Sequence, residues 1–253
     1  MAASVDDPDQ RATKGAALVE RPWTDLRAVK LRAVRDSFSP GCYRRSAVLT
    51  FGWLAFDLAL YAAAVAGIFA VDHPLAQLGF GLLAGCATAF LFVWAHDAAH
   101  GALFASATWS EVLGTVAMLP SLNMYRLWSY GHNKVHHGFT SFSPIDWIWR
   151  PLTPAEYRAR SRPQRLVYRL ERHPATCGLH YLLRVWWPGM VRFRPDPKLR
   201  RTRGVRTSKL ITLSFVIAAS AAAYRFGGGG WGVMAAVVVP FVVFTWFISL
   251  FVY

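Results

Sequence analysis

Four long apolar runs constrain this chain more than any other feature. Residues 47–70 and 74–95 form one pair separated by three residues, and residues 210–224 and 231–253 form another. A helix of about 20 apolar residues crosses the hydrocarbon core of a bilayer. The sequence therefore predicts an all-α integral membrane protein whose four transmembrane helices form two hairpins.

The rest of the chain follows from these runs. Hydrophobic residues make up 54% of the sequence, above the share usual in soluble domains. We expect a polar cytoplasmic N-terminus over 1–46, a first hairpin over 47–95, a cytoplasmic and interfacial region over 96–209, and a second hairpin over 210–253. Residues 112–122 are too short to span and are expected along the interface.

Positive charge is concentrated between Arg150 and Lys209. This segment has sixteen Lys or Arg residues against three acids, so it holds +13 of the net charge of +14. A strongly basic chain is a candidate for nucleic-acid binding, but this block lies between apolar runs, which favours a membrane surface. Cytoplasmic loops carry the excess of Lys and Arg. We therefore place both termini and the basic segment in the cytoplasm, and the connectors at 71–73 and 225–230 on the opposite side.

Five of the eight histidines fall into two tight clusters. His96 and His100 are four residues apart, as are His132 and His136, so each pair can face one way from a helix. His137 points about 100° further round and can reach a second ion. Imidazole suits iron, zinc, copper and nickel, so the ligand type leaves the metal open.

Other interpretations of these histidines are weaker. Zinc proteases use HExxH with a glutamate base, which neither cluster contains. A metallophosphohydrolase, suggested by the pair His96–Asp97, would need further ligands on a soluble helical domain. Histidines without a ligand role are common singly, but not as five in two helix-spaced sets. His173 and His180 are seven residues apart and are interpreted as interfacial residues.

The motifs resemble those of a known family. The run HDAAHG at 96–101, after a hydrophobic hairpin, resembles the first histidine box of membrane fatty acid desaturases, and GHNKVHH at 131–137 resembles the second. Trp128 before the second box, and Asp146 with Trp147 after it, fit the same pattern. The resemblance extends over roughly residues 47–253.

The resemblance implies a non-haem centre of two iron ions that activates oxygen and leaves a double bond in an acyl chain. The implied iron ligands are His96, His100, His132, His136 and His137. Asp97 is either a hydrogen-bond partner of a ligand or a solvated, capping carboxylate, and Asn133 is similarly open. Related membrane enzymes hydroxylate alkanes or convert carotenoids, and a hydroxylase or carotenoid oxygenase of this kind is the second interpretation. A third interpretation is a non-catalytic membrane protein whose basic segment binds anionic lipid.

Electrons for oxygen activation must come from a partner. The chain has no nucleotide fingerprint, haem-attachment motif or iron–sulfur cysteine spacing. We expect a small acidic carrier such as a ferredoxin, attracted by the basic face between Arg158 and Arg206. The expected substrate is an acyl lipid or acyl thioester, and no nucleic acid is expected to bind.

One feature does not fit a complete desaturase. The resemblance implies a third histidine box after the fourth span, whereas this sequence stops at Tyr253, so we expect an incomplete and inactive fragment.

Asp57 lies within the first apolar run, where a carboxylate costs about 2.5–3.5 kcal/mol at a helix centre. It is expected near the membrane boundary, or against a headgroup or a neighbouring helix.

Overall fold

The computed structural model describes residues 29–43, 46–104, 106–140, 145–146, 148, 150–192 and 204–252. These residues form helices and turns, and they include no strand. The predicted all-α class is confirmed. Most of the polar N-terminus, and residues 193–203 of the basic segment, lie outside the described residues.

The chain divides into two units, one ending at Gly52 and the other beginning at Trp53. The first contains α1 (Leu31–Asp36), a 3-10 turn over Pro40–Tyr43 and the start of α2. The helices from there onward are α2 (Ala47–Ala70), α3 (Pro74–Ala99), α4 (Ala107–Met118), α5 (Tyr125–Tyr130), α6 (Pro154–Ala159), α7 (Arg162–Leu170), α8 (Gly178–His180), α9 (Val205–Phe226), α10 (Gly230–Val233) and α11 (Val239–Val252). Helices α5, α8 and α10 continue directly into π-helical segments, which are Gly131–His136, Tyr181–Arg192 and Met234–Val238.

Four helices of the described chain are long and apolar enough to cross a membrane, as predicted. Two extend beyond the apolar runs. Helix α3 continues to Ala99 and so carries the first histidine cluster, and α9 begins at Val205. The apolar runs mark only the part of a helix that lipid can cover, whereas backbone hydrogen bonding continues into the polar residues at its end.

Helices α2 and α3 meet through small and polar residues. A Cβ on Gly67 would lie 2.5 Å from the Phe80 ring, so only glycine permits this approach. Asp57 accepts a hydrogen bond of 2.7 Å from the indole Nε1 of Trp94. A neighbouring helix is therefore the partner of the carboxylate in the first apolar run.

Gln77 joins the two short connectors. Its amide donates to the carbonyls of Ile68 and Val71 at 3.1 and 3.0 Å, and to the carbonyl of Gly227 at 3.3 Å. The predicted connector at 225–230 contains a three-residue turn over 227–229, with positive φ at Gly228 and Gly229, and the next helix begins directly after it. The turn after α2 and the turn after α9 therefore lie side by side.

Helix α3 lies at the centre of the second unit. Gly81 and Gly85 let the π-helical segment Met234–Val238 and α11 approach closely, because a Cβ on Gly81 would collide with Ala235 and one on Gly85 with Val243. Short helix α4 also packs on α3. The hydrophobic core around α3 consists of buried side chains from several helices, including Leu91, Phe92, Ala95, Met118, Tyr125, Tyr181 and Phe244.

The basic segment begins with two short capped helices and then meets α11. Capping boxes start α6 at Thr153 with Glu156 and α7 at Ser161 with Gln164, which satisfies backbone donors at each helix start. Trp246 donates through Nε1 to the carbonyl of Pro174 at 2.7 Å. The chain between α7 and α8 is therefore held against α11.

Candidate metal centre

The first histidine cluster occupies the last turn of α3. The His100 amide donates to the carbonyl of His96 at 3.2 Å, which is the i to i−4 bond of an α-helix. The two imidazoles therefore project from one face, with 3.3 Å between their Nε2 atoms. Gly101 follows with φ +66°, a left-handed conformation that commonly ends a helix.

The second cluster occupies the π-helical segment Gly131–His136. The His137 amide donates to the carbonyl of His132 at 2.9 Å, which is an i to i−5 bond. Residues five apart therefore share a face, and the Nε2 atoms of His132 and His137 are 3.0 Å apart. The sequence predicted that His132 would pair with His136, because it assumed α-helical spacing.

The two clusters converge on one point. The Nε2 atoms of His100 and His132 are 3.2 Å apart. A group of four ligand nitrogens lies within 4.8 Å of one another, and it comprises His96, His100, His132 and His137. Two nitrogens each about 2.1 Å from one ion would be roughly 3 Å apart at right angles. The observed separations therefore fit imidazoles that share a cation.

Burial and mutual proximity lower the pKa of three of these imidazoles. Burial, together with the neighbouring histidines, lowers the pKa of His132 to about 3. Burial is also the main cause that lowers the pKa of His100 and of His137, and nearby imidazoles add to it. Only a neutral imidazole has a lone pair for a metal. At neutral pH these three imidazoles therefore offer nitrogen donors and add no competing positive charge.

Carboxylates fix the orientation of two histidines. Asp97 bonds Nδ1 of His96 at 2.9 Å, and Asp146 bonds Nδ1 of His136 at 3.0 Å. Because a carboxylate only accepts, Nδ1 is the donor in each ring and Nε2 is left for a metal. For Asp97 the structure supports the role of hydrogen-bond partner to a histidine.

Asp146 belongs to a longer chain of hydrogen bonds. It is only 1% exposed, and its second oxygen accepts from the amide of Ile148 at 3.1 Å. The carbonyl of Ile148 accepts from Nε2 of His180 at 3.1 Å. His180 is buried, not interfacial as predicted, whereas His173 is exposed. Sequence reasoning missed this link because it joins residues 32 positions apart.

Two further side chains hold the second cluster in place. The indole of Trp128 stacks on His132, with ring centroids 4.4 Å apart and 16° between the planes. Asn133 donates through Nδ2 to the carbonyl of Ala99 at 2.8 Å. Asn133 therefore joins the second cluster to the end of the helix that carries the first.

His136 is placed differently from the other four histidines. Its ring centroid is 5.4 Å from that of His132 and 5.3 Å from that of His137, and it lies outside the group of converging nitrogens. It remains a neighbour of the cluster, oriented by Asp146. The structure thus brings four of the five predicted ligands together and sets the fifth beside them.

An apolar cavity opens against the cluster. It has a volume of about 390 Å³, and its lining includes Leu127, Trp128, His132, Val185, Pro188 and Met190. Most of this lining comes from α5 and from the π-helical segment after α8. A second cavity of about 630 Å³ lies on the other side of α5 and is lined partly by Glu111, Arg126, Asn133 and Lys134.

Four helices that are long and apolar enough to span a membrane, together with a convergent histidine cluster that could hold a metal ion, define the class of this protein. A family model described as "Fatty acid desaturase" matches residues 72–253. The chain therefore belongs to the fatty acid desaturase family, a family of membrane-bound oxidoreductases that generally use iron.

Several characterised relatives are similar to this chain. An sn-1 oleoyl-lipid 12-desaturase of Synechocystis sp. is 25% identical over 240 residues, which cover 92% of this chain and 64% of the relative. An enzyme of the same name from Arthrospira platensis is 25% identical over 173 residues, covering 66% and 46%. A fatty acid desaturase of Bacillus subtilis is 29% identical over 142 residues, covering 54% and 38%. The chain thus spans about half to two thirds of the length of the first two.

Proposed function

We propose that this chain is a membrane fatty acid desaturase that uses oxygen and two non-haem iron ions to introduce a double bond into an acyl chain. One observation carries the proposal: the converging histidines lie against an apolar cavity through His132. A saturated chain has no polar group to be recognised, so its reacting carbons must be positioned by an apolar wall beside the oxidant.

The proposed ligands are His96, His100, His132, His136 and His137. When bound, the two ions would activate oxygen with two electrons and remove two hydrogens from adjacent carbons of the chain. The protein would hold the ions with neutral imidazoles and fix ring orientation through Asp97 and Asp146. Trp128 and the apolar cavity lining would exclude water from the reacting carbons.

The proposed topology places both termini and the histidine cluster in the cytoplasm. The excess of Lys and Arg between 150 and 209 supports this orientation. The bond from Gln77 to Gly227 also supports it, since it joins the two connectors assigned to the opposite side.

The proposed electron donor is a ferredoxin or a similar small acidic carrier. Arginines of the described basic segment give it a favourable surface, and they include Arg158, Arg162, Arg165 and Arg169. Attraction between opposite charges accelerates such encounters, and salt screens it. The transfer rate should therefore fall as ionic strength rises.

Iron binding tests the metal assignment directly. We expect the purified chain to bind ferrous iron, and His100→Ala to lose most of it because His100 bridges the two clusters. His173→Ala is the matched control, since His173 is exposed and outside the group. Equal iron content in the three proteins would refute the assignment.

The reaction is tested by analysing host lipids. Two of the relatives are named sn-1 oleoyl-lipid 12-desaturases, so oleoyl lipids are the first substrates to examine. Diunsaturated acyl chains that appear with the wild type and disappear with His100→Ala would support the proposal, and they would contradict the expectation that this chain is inactive. Hydroxylated chains would instead assign the related hydroxylase activity.

A further inference from the structure

Two neighbouring cavities share one arginine. The first is the apolar cavity against His132. The second is a cleft of about 530 Å³ whose charged lining consists of Arg150, Arg160, Arg172, Arg184, Glu156 and Glu171. Arg184 lines both. An arginine has an apolar stem and a charged tip, so this residue suits a boundary between an apolar and a polar compartment.

The cleft has more positive than negative charge. It contains four arginines and two glutamates. Glu171 is buried and accepts a bond of 2.8 Å from Nε of Arg184. Glu156 accepts from the amide and the hydroxyl of Thr153 at 2.8 and 2.9 Å. Glu171 is thus paired with Arg184, and the pKa of Glu156 is lowered by the bonds from Thr153 and also by the charges of Arg150 and Arg160. The four arginines still outnumber the two glutamates, so the cleft keeps a net positive charge that favours an anion.

The shared wall extends beyond Arg184. Ile148 lines the apolar cavity, and its carbonyl accepts from His180, which lines the cleft. His180 adds no charge, because burial lowers its pKa to about 4. An acyl tail that passed Arg184 would therefore leave an arginine-rich environment and enter an apolar one lined by His132.

We propose that the cleft binds the phosphate of an acyl substrate whose tail enters the apolar cavity past Arg184 toward His132. Guanidinium groups bind phosphate with paired, charge-assisted hydrogen bonds. This inference rests on the proposed function and narrows its substrate to a phosphate-bearing acyl amphiphile. The phosphate comes either from a phospholipid headgroup or from the phosphopantetheine part of an acyl thioester.

Equilibrium binding to the purified chain in neutral detergent tests the cleft. The probes are dioleoyl phosphatidylglycerol and dioleoylglycerol, which have the same tails and differ in the phosphate. One additional charge-assisted hydrogen bond corresponds to about tenfold or more in affinity, so we expect the phospholipid to bind at least about tenfold more tightly. Competition between oleoyl-CoA and the phospholipid then distinguishes the two sources, since the natural source should displace the other.

Matched variants locate the two halves of the site. Arg160→Gln removes an exposed cleft arginine and should abolish most of the phospholipid preference. Arg158→Gln makes the same charge change outside both cavities and should retain it. The double variant Arg184→Gln with Glu171→Gln removes the boundary cation without leaving a buried carboxylate alone, and it should act like Arg160→Gln.

The tail half is tested at Gly189. A Cβ there meets nothing within 4 Å, and Gly189 lines the apolar cavity. Gly189→Leu should therefore lower the affinity for both probes by a similar factor of about ten. Gly79→Leu is the control, because Gly79 also has open space but lines neither cavity.

The outcomes separate this inference from the function on which it rests. Equal affinity for the two probes, or equal effects of Arg158→Gln and Arg160→Gln, would overturn the cleft assignment even if the protein binds iron. A phosphate preference that depends on Arg160 in a protein that binds no iron would instead reject the desaturase proposal and retain the cleft.

Discussion

The two histidine clusters present imidazoles to the same point from different helices. In the first, His100 bonds back to His96 across four residues. In the second, His137 bonds back to His132 across five. The Nε2 separations are nevertheless similar, at 3.3 and 3.0 Å. Backbone hydrogen bonding, and not sequence spacing alone, thus decides which histidines converge.

The two clusters also differ in the side chains that hold their imidazoles in place. Asp97, beside the first cluster, has a side chain that is 42% exposed, whereas the Asp146 side chain, beside the second, is 2% exposed. The second cluster is further held by stacking of Trp128 on His132 and by the bond from Asn133 to Ala99. We infer that the second cluster is the more rigid half and that changes there have larger effects.

The largest effect is expected from His132→Ala. His132 approaches imidazoles of both clusters, since its Nε2 is 3.2 Å from that of His100 and 3.0 Å from that of His137. Loss of a supporting residue costs roughly 10–100-fold in metal affinity, and loss of this shared ligand should exceed that. Iron titration of the purified variant measures the effect.

His73→Ala provides the comparison for this variant. His73 precedes α3 at the opposite end from the cluster and forms no part of the group. It should bind iron as tightly as the wild type. If His132→Ala lost no more affinity than His96→Ala, the central position given to His132 would be wrong.

The next effect distinguishes the two supporting carboxylates. Asp146→Ala should weaken iron binding about 10–100-fold, because a buried partner fixes the His136 ring. Asp97→Ala should cost only a few-fold, because water can replace an exposed carboxylate. The same titration measures both variants, and Asp36→Ala serves as a control in α1.

Equal losses at Asp97 and Asp146 would show that burial of the carboxylate is unimportant. An intermediate result for Asp146→Asn is also expected. Its amide can accept a bond from Nδ1 of His136 but has no negative charge to stabilise the ring, so the variant separates geometry from charge.

The sequence predicted most of the fold because membrane spans depend on local composition. The ends of α2 and the start of α3 fall where the apolar runs predicted. The start of α9 differs, because Val205 and the polar residues after it continue a helix that hydropathy does not detect. The three-residue turn at Gly227–Gly229 likewise follows from local glycines.

The site was less predictable, because it depends on long-range contacts and on the π-helical register. The group of four histidines was apparent as two motifs, but the pairing of His132 with His137 was not. Asp146 was noted only for its place in the motif, and its bond to His136 requires a fold that reverses the chain. The sequence left three environments open for Asp57, namely the membrane boundary, a lipid headgroup and a neighbouring helix. Only the structure shows its hydrogen bond with Trp94.

A smaller effect is expected at the contact between α4 and α5, the helix that leads into the second histidine cluster. A Cβ on Gly114 in α4 would lie 2.2 Å from the Tyr125 ring in α5. Gly114→Ala should therefore shift the helix that leads to the second cluster, and overpacking of this kind costs about 1–3 kcal/mol. The midpoint of thermal unfolding in detergent should fall.

Gly79→Ala is the matched change for Gly114→Ala. It adds the same methyl group to a helix where nothing lies within 4 Å, so its midpoint should be unchanged or slightly higher, as glycine is a poor helix former. A similar fall in both variants would mean that helix propensity or lipid contact, and not the Tyr125 contact, is responsible.

The smallest effect concerns pH and the support of the second cluster. Burial, with smaller contributions from Arg172 and Arg184, lowers the pKa of His180 to about 4 in the folded protein, compared with about 6.5 in an unfolded chain. Between these values the unfolded chain binds more protons, so stability falls as pH falls. From pH 7.5 to pH 6.0 this group alone should remove about 1 kcal/mol from the free energy of unfolding.

His180→Gln isolates that contribution. Glutamine keeps an N–H donor for the carbonyl of Ile148 but does not titrate, so the variant should lose about 1 kcal/mol less than the wild type over the same pH range. His173→Gln, at an exposed position, should follow the wild type. Because other histidines also titrate, only the difference between the curves is informative. Parallel curves for the wild type and His180→Gln would show that His180 is not held neutral by the fold.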